Sequence, residues 1–130
     1  MKKLKTIETN LAPTAIGPYS QGIIAGRLIF VSGQLGINPE TGELISNEFE
    51  AQARQSLENL KNVVLEGGAD LSQVASVDVF LTDLKYFQAL NKIYQTYFAE
   101  YQPARAVVEV SALPKCALIE IKCIACMEIN

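Results

Sequence analysis

From Ala117 to Ala125 every second side chain is apolar, through Ala117, Ile119, Ile121, Cys123 and Ala125, while Glu120 and Lys122 fall among the residues between them. A period of two commits the segment to a strand with one packed face, because a helical period would turn those charges into the core. The run before it alternates too. Ala106, Val108, Val110 and Ala112 are expected to pack, and Arg105, Val107, Glu109 and Ser111 to face the other way. A chain with two such runs must build a sheet, and something has to cover the packed face.

The cover comes from two stretches of helical period. After Asn47, Phe49, Ala53, Leu57, Leu60 and Val64 recur at helical spacing, Asn47 and Glu50 resemble a capping box, and Gly67-Gly68 ends the helix. Thr82-Asp83 caps a second helix with Phe87, Leu90, Tyr94, Tyr97 and Phe98 on its apolar face, and Pro103 stops it. Strands are expected near Leu4–Ile7, on both sides of a turn at Ala25-Gly26, and from Ala75 to Leu81. Asn38-Pro39-Glu40-Thr41-Gly42 reads as a turn or loop. The order β-β-β-α-β-α-β-β predicts one α+β domain over residues 1–130, its mostly antiparallel sheet covered on one face by two helices.

Composition narrows the function. The chain has 130 residues, 49% of them hydrophobic, and a net charge of −3 from 11 basic and 14 acidic residues, with no basic block interleaved with aromatics, so nucleic acid is not an expected partner. The basic start Met1-Lys2-Lys3-Leu4-Lys5 leads into Thr6, Glu8 and Asn10 rather than an apolar signal core, and no long apolar run suggests a membrane span. A cytoplasmic protein is the expectation. There is no histidine, so acid-base work falls to carboxylates, Tyr, Lys or Cys. Cys123-Ile124-Ala125-Cys126 spells C-x-x-C, but residues three apart on a strand face opposite ways and no second ligand pair exists, so the two are read as buried structural thiols and no metal is expected. Cys116, in a loop, is expected to be exposed.

Several residues carry chemistry and each has a plainer reading. Arg105 follows Pro103-Ala104 at a strand start and offers a planar fork suited to a carboxylate; it could equally be paired with Glu109 or another acid. Glu120, among Leu118, Ile119 and Ile121, should be partly desolvated and able to hold or deprotonate water, or else be a charge balanced by Lys122. Tyr19 is either presented over a cleft by Gly17-Pro18 or packed in a core or interface. Ser32-Gly33-Gln34 either holds an anionic oxygen or simply ends a strand. Asn91 borders the aromatic stripe of the second helix beside Phe87 and Tyr94.

The face opposite the helices is expected to mix Leu118, Ile124 and Val107 with charges, which suits contact with another copy and clefts at the seam. If the loop from Leu113 to Ala117 closes a hairpin, Val110 pairs with Glu120 and Arg105 stands ~17 Å away, so the two would meet only across subunits.

Gly17-Pro18-Tyr19-Ser20-Gln21, Val31-Ser32-Gly33-Gln34, Asn59-Leu60-Lys61, Val79-Phe80-Leu81-Thr82-Asp83-Leu84, Phe87-x-x-x-Asn91-x-x-Tyr94, Pro103-Ala104-Arg105 and Leu113-Pro114-Lys115 through Ile119-Glu120-Ile121 occur in the order seen in the Rid (YjgF/UK) family. The likeness spans nearly the whole chain, and with Arg105 present it resembles the RidA-type reactive intermediate deaminases. The resemblance implies a chorismate-mutase-like fold and a homotrimer with clefts between subunits. It also implies that Arg105 binds the substrate carboxylate, that Glu120 orients the attacking water, and that Tyr19, Ser32, Gly33, Asn91 and Phe87 shape the cleft. Two positions depart: Val107 stands where many members have Cys, which removes thiol chemistry there, and Gly36 where Pro is common.

The expected substrates are small 2-imino acids or their enamine tautomers, such as 2-iminobutanoate or 2-iminopropanoate, hydrolysed to 2-keto acids and ammonia without metal or organic cofactor. The rival reading is a non-catalytic trimer that binds small carboxylates or acts as a chaperone. Glu120 separates the two, since capturing a carboxylate has no use for a second acid nearby.

Overall fold

The computed structural model of the protein describes residues 4–128, so Met1-Lys2-Lys3 of the basic start lies outside it. Eight elements follow in the expected order: β1 (Lys5–Ile7), β2 (Gly22–Ala25), β3 (Leu28–Leu35), α1 (Phe49–Gly67), β4 (Val74–Leu81), α2 (Phe87–Tyr97), β5 (Ala104–Glu109) and β6 (Ile119–Cys126). The strands form one sheet in the order β1-β2-β3-β6-β4-β5. Only β4 and β5 run parallel. Parallel neighbours need a crossover, which α2 supplies.

β6 sits between β3 and β4, and its alternation is borne out. Ile119, Ile121, Cys123 and Ala125 are buried under the helices, and Ala117 is buried just before the strand. The helices close the core with Leu57, Leu60 and Val64 from α1 and Leu90 and Phe98 from the α2 region, all essentially inaccessible. Truncating one of these, Leu57→Ala for example, removes about 2–5 kcal/mol. The fold is α+β, as expected.

Several local expectations are corrected. β5 and β6 do not form a hairpin, because β4 lies between them: Phe80 pairs with both Glu120 and Val108, and Val77 with both Cys123 and Arg105. The faces of β5 are therefore reversed. Arg105 and Val107 share the helix-covered side with Val77 and Val79, while Ala106 and Val108 lie on the open side. An edge strand has a neighbour on one side only, so its apolar residues need not face the core. The hairpin turn falls on Gly26-Arg27, one residue later than expected, with Gly26 at φ 63°.

The start of α1 is not capped by Asn47. Glu48 holds that position without a side-chain hydrogen bond, and Ser46 Oγ instead accepts from Glu48 N–H. The other end is as expected: Gly68, at φ 104°, donates back to Leu65 O. Asp83 accepts from Lys85 N–H and caps a short 3₁₀ turn that feeds α2, and α2 ends at Tyr97, well before Pro103. Of the C-x-x-C pair, both expected to be buried, Cys123 is buried but Cys126 is exposed, because it lies on the opposite face near the strand's end; Cys116 is exposed as expected.

Candidate functional site

The open face of the sheet carries the first half of the candidate site. Leu35, Glu120, Phe80 and Val108 lie in one cross-strand row, and the neighbouring row pairs Lys122 with Asp78. Between Val31 and Gln34 the β3–β6 register slips: three steps along β3 match two along β6, from Cys123 to Ile121. Ser32 and Gly33 form the resulting bulge, and bulges re-aim backbone next to sites. Gln34 Nε2 steadies it by donating to Ser32 O at 3.1 Å.

The bulge brings Gly33 beneath the Glu120 side chain. A β-carbon at Gly33 would stand 2.5 Å from Oε2, 2.7 Å from Cδ and 3.0 Å from Cγ of Glu120, so only glycine leaves the carboxyl this place. Burial raises the pKa of Glu120 above its usual 4.5, with Lys122 offsetting part of the shift. Ser32 Oγ donates to Ser20 O at 2.6 Å and its N–H to Gln21 O at 2.9 Å, tying the Tyr19 loop to β3.

Buried Gln21 fixes the same loop. Its Nε2 donates to the carbonyls of Thr9, Ala12 and Pro13 while its Oε1 accepts from Thr9 N–H. Tyr19, half exposed, Ser32, Gly33 and Glu120 then line one concavity of about 790 Å³, with Phe30 and Ile124 on its apolar side.

The second half lies on the other side of the sheet. The Arg105 guanidinium sits 4.7 Å from the Tyr94 ring centroid and 5.8 Å from that of Phe87. Among the described residues it has no carboxylate within 4.0 Å and no hydrogen-bond acceptor. Glu109 is taken up elsewhere, its Oε1 accepting from Leu84 N–H at 2.8 Å. Asn91, half buried, lies on α2 between Phe87 and Tyr94. Within one chain, then, Tyr19, Ser32, Gly33 and Glu120 gather on the open face, while Arg105 lies at the β5 edge against Phe87 and Tyr94 of α2, the helix that also carries Asn91. The two groups do not meet.

The scaffold uses polar residues that the apolar stripe of α1 concealed. Asn59 donates to Leu35 O and Ile37 O, and Gln52 Oε1 accepts from Leu118 N–H, so α1 holds both the end of β3 that pairs with Glu120 and the residue two before it. A polar residue in step with Phe49, Ala53, Leu57 and Leu60 was the available signal. Gly36 lets α1 approach this closely, since a β-carbon there would stand 2.6 Å from Gln52 Cα and O. Among the described residues no cluster of three or more His, Cys, Asp or Glu could hold a metal, and no helix is long and apolar enough to cross a membrane.

Fold and site together define an α+β protein with a half-buried carboxyl in an open-face cleft and, at the sheet edge, an arginine with no acid partner among the described residues. Residues 9–127 match the family described as Endoribonuclease L-PSP, and the chain belongs to that family, bearing out its resemblance to the Rid (YjgF/UK) proteins. A RutC family protein of Pyrococcus abyssi is 48% identical over 95% of this chain and 98% of its own length. The 2-iminobutanoate/2-iminopropanoate deaminase of Rattus norvegicus is 44% identical over 93% of this chain and 88% of its own. Among solved structures, a putative endoribonuclease from Thermotoga maritima superposes with a TM-score of 0.94 at 46% identity, covering 99% of this chain and 100% of the other.

Proposed function

We propose that the protein hydrolyses 2-imino acids such as 2-iminobutanoate and 2-iminopropanoate to 2-keto acids and ammonia, in clefts where Arg105 of one copy faces Glu120 of the next within a homotrimer. The observation that carries the reading is the Arg105 guanidinium, lying over the Tyr94 and Phe87 rings at a sheet edge and without an acid partner among the described residues. Such a fork suits a planar carboxylate. The name borne by the rat relative supports the substrate class. The open face, with Phe30 and Val108 at 40% and 45% exposure, supports coverage by another copy.

Arg105 binds the substrate carboxylate, and Glu120 accepts a proton from a water aimed at the C=N carbon. The water oxygen bonds to that carbon as the C=N π electrons move to nitrogen. Glu120 then returns its proton to the nitrogen, giving a carbinolamine; it next takes the hydroxyl proton and passes it to the amine nitrogen as C=O forms and the C–N bond breaks, so that the keto acid and ammonia leave. A raised pKa brings Glu120 nearer the working pH of a base. Tyr19, Ser32, Gly33, Phe87 and Asn91 shape the cleft.

The names of the family and of the Thermotoga relative favour a second reading, RNA cleavage. The net charge of −3 and the absence of histidine argue against it. A carboxylate-binding trimer without catalysis is the third. Ammonia release in a dehydratase-coupled 2-iminobutanoate assay tests the proposal: acceleration over the uncatalysed rate that is lost in Glu120→Gln is expected. No acceleration, with 2-ketobutyrate still bound, would leave the binding protein, and cleavage of RNA by the purified protein would favour the nuclease.

A further inference from the structure

Tyr94 is out of place as a core residue. Its side chain is buried, its ring is packed at 4.6 Å centroid distance on Phe98, and its hydroxyl, also buried, has no hydrogen-bond partner among the described residues. A buried, unpaired hydroxyl costs free energy that a phenylalanine would not incur. What the ring does offer is a flat surface. The Arg105 guanidinium lies 4.7 Å from its centroid, closer than to Phe87, and no acid or carbonyl among the described residues holds the cation in place. Arg105 lies in one cross-strand row with Val77 and Cys123, and that row is covered by the helices. Burial pushes the Tyr94 phenol up to about 12, with the Arg105 charge pulling the other way.

We propose that Tyr94 is a positioning residue for Arg105: its immobilised ring fixes the plane and height of the guanidinium, so that the N–H edge stays free and pre-aimed at the carboxylate of a 2-imino or 2-keto acid. This rests on the reading of Arg105 as the carboxylate binder. A long side chain at a strand edge otherwise samples many rotamers, and ordering it on binding weakens affinity. Stacking on Tyr94 orders it beforehand while leaving every N–H donor free. Because the hydroxyl is unpartnered, the ring alone performs the role.

The test compares Tyr94→Leu and Tyr94→Phe by the affinity for 2-ketobutyrate, measured calorimetrically on folded protein, and by KM against kcat for 2-iminobutanoate. Tyr94→Leu should weaken 2-ketobutyrate binding roughly three- to thirtyfold, the range of a cation–π contact, and raise KM more than it lowers kcat. Tyr94→Phe, the conservative variant, should restore both to within about twofold. Affinity unchanged in Tyr94→Leu, or equally weak in Tyr94→Phe, would overturn the proposal. Nitrogen-15 and proton NMR of the Arg105 side chain in the unaltered protein gives a readout independent of any variant. Upfield ring-current shifts of its δ and ε protons are expected, and shifts of a free arginine would overturn the stack. Arg105→Lys separates the two readings: if it leaves 2-ketobutyrate affinity intact, the carboxylate role of Arg105 fails. If it weakens binding while Tyr94→Leu does not, only the role of Tyr94 fails.

Discussion

Gly33 lies directly beneath the carboxyl of Glu120, so close that a β-carbon there would stand 2.5 Å from Oε2. Gly33→Ala should therefore displace the carboxyl rather than unfold the sheet, because the atoms that must move are the end of a side chain. Imine hydrolysis should drop by about 10²-fold while 2-ketobutyrate binding stays near normal. Steady-state ammonia release and calorimetry on one preparation check this. Unchanged hydrolysis would mean that the place of the carboxyl does not matter.

Glu120→Gln should separate binding from chemistry. The amide keeps the shape but cannot take a proton from water, so hydrolysis should fall by roughly 10²–10⁴-fold with 2-ketobutyrate still bound. If rate and affinity collapse together, Glu120 builds the cleft instead.

The same carboxyl should leave its mark on stability. Burial raises its pKa above 4.5, so deprotonation opposes folding. Its contribution is full below pH 4.5 and is lost as pH rises through the raised value. Urea unfolding of the protein and of Glu120→Gln between about pH 4 and pH 8 should show the unaltered protein losing stability relative to the variant as pH rises. A difference independent of pH would mean that the carboxyl is fully solvated.

Arg105→Lys keeps the charge but loses the fork. Binding of 2-ketobutyrate should weaken roughly ten- to a hundredfold, the size of a charge-assisted hydrogen bond. Calorimetry alongside circular dichroism distinguishes this from misfolding.

Burial pushes the Cys123 thiol up to about 12, whereas Cys116 is exposed. At pH 8 a thiol-specific alkylating reagent should modify Cys116 quickly and Cys123 only after unfolding. Cys123→Ser and Cys126→Ser should lower stability at most, without loss of hydrolysis. Mass mapping of the alkylated peptides and the ammonia assay decide both points.

What could be read in the sequence follows from where each element sits. β6 was legible because it has a strand on either side and helices above it, so each of its core positions is apolar. β5 misled because it is an edge: Ala106 and Val108 face the open side, while Arg105 lies under α2 with an aromatic ring to rest on. The supposed β5–β6 hairpin assumed that neighbours in sequence pair in space, and β4 intervenes. The bulge at Ser32-Gly33 is a fact of register, set jointly by β3 and β6, and neither strand announces it alone. The residues at Glu120 and Arg105 were visible as odd charges in strands, but which face each occupies was not.

That Arg105 and Glu120 stand on opposite faces of one chain has a genetic consequence. In the proposed trimer each cleft takes its arginine from one copy and its glutamate from the next, so a chain carrying Arg105→Lys and a chain carrying Glu120→Gln are defective in different ways. Co-expressed, they form mixed rings in which a sound arginine meets a sound glutamate at a seam. Two alleles that are each inactive should then complement one another, and a chain carrying both changes should rescue neither.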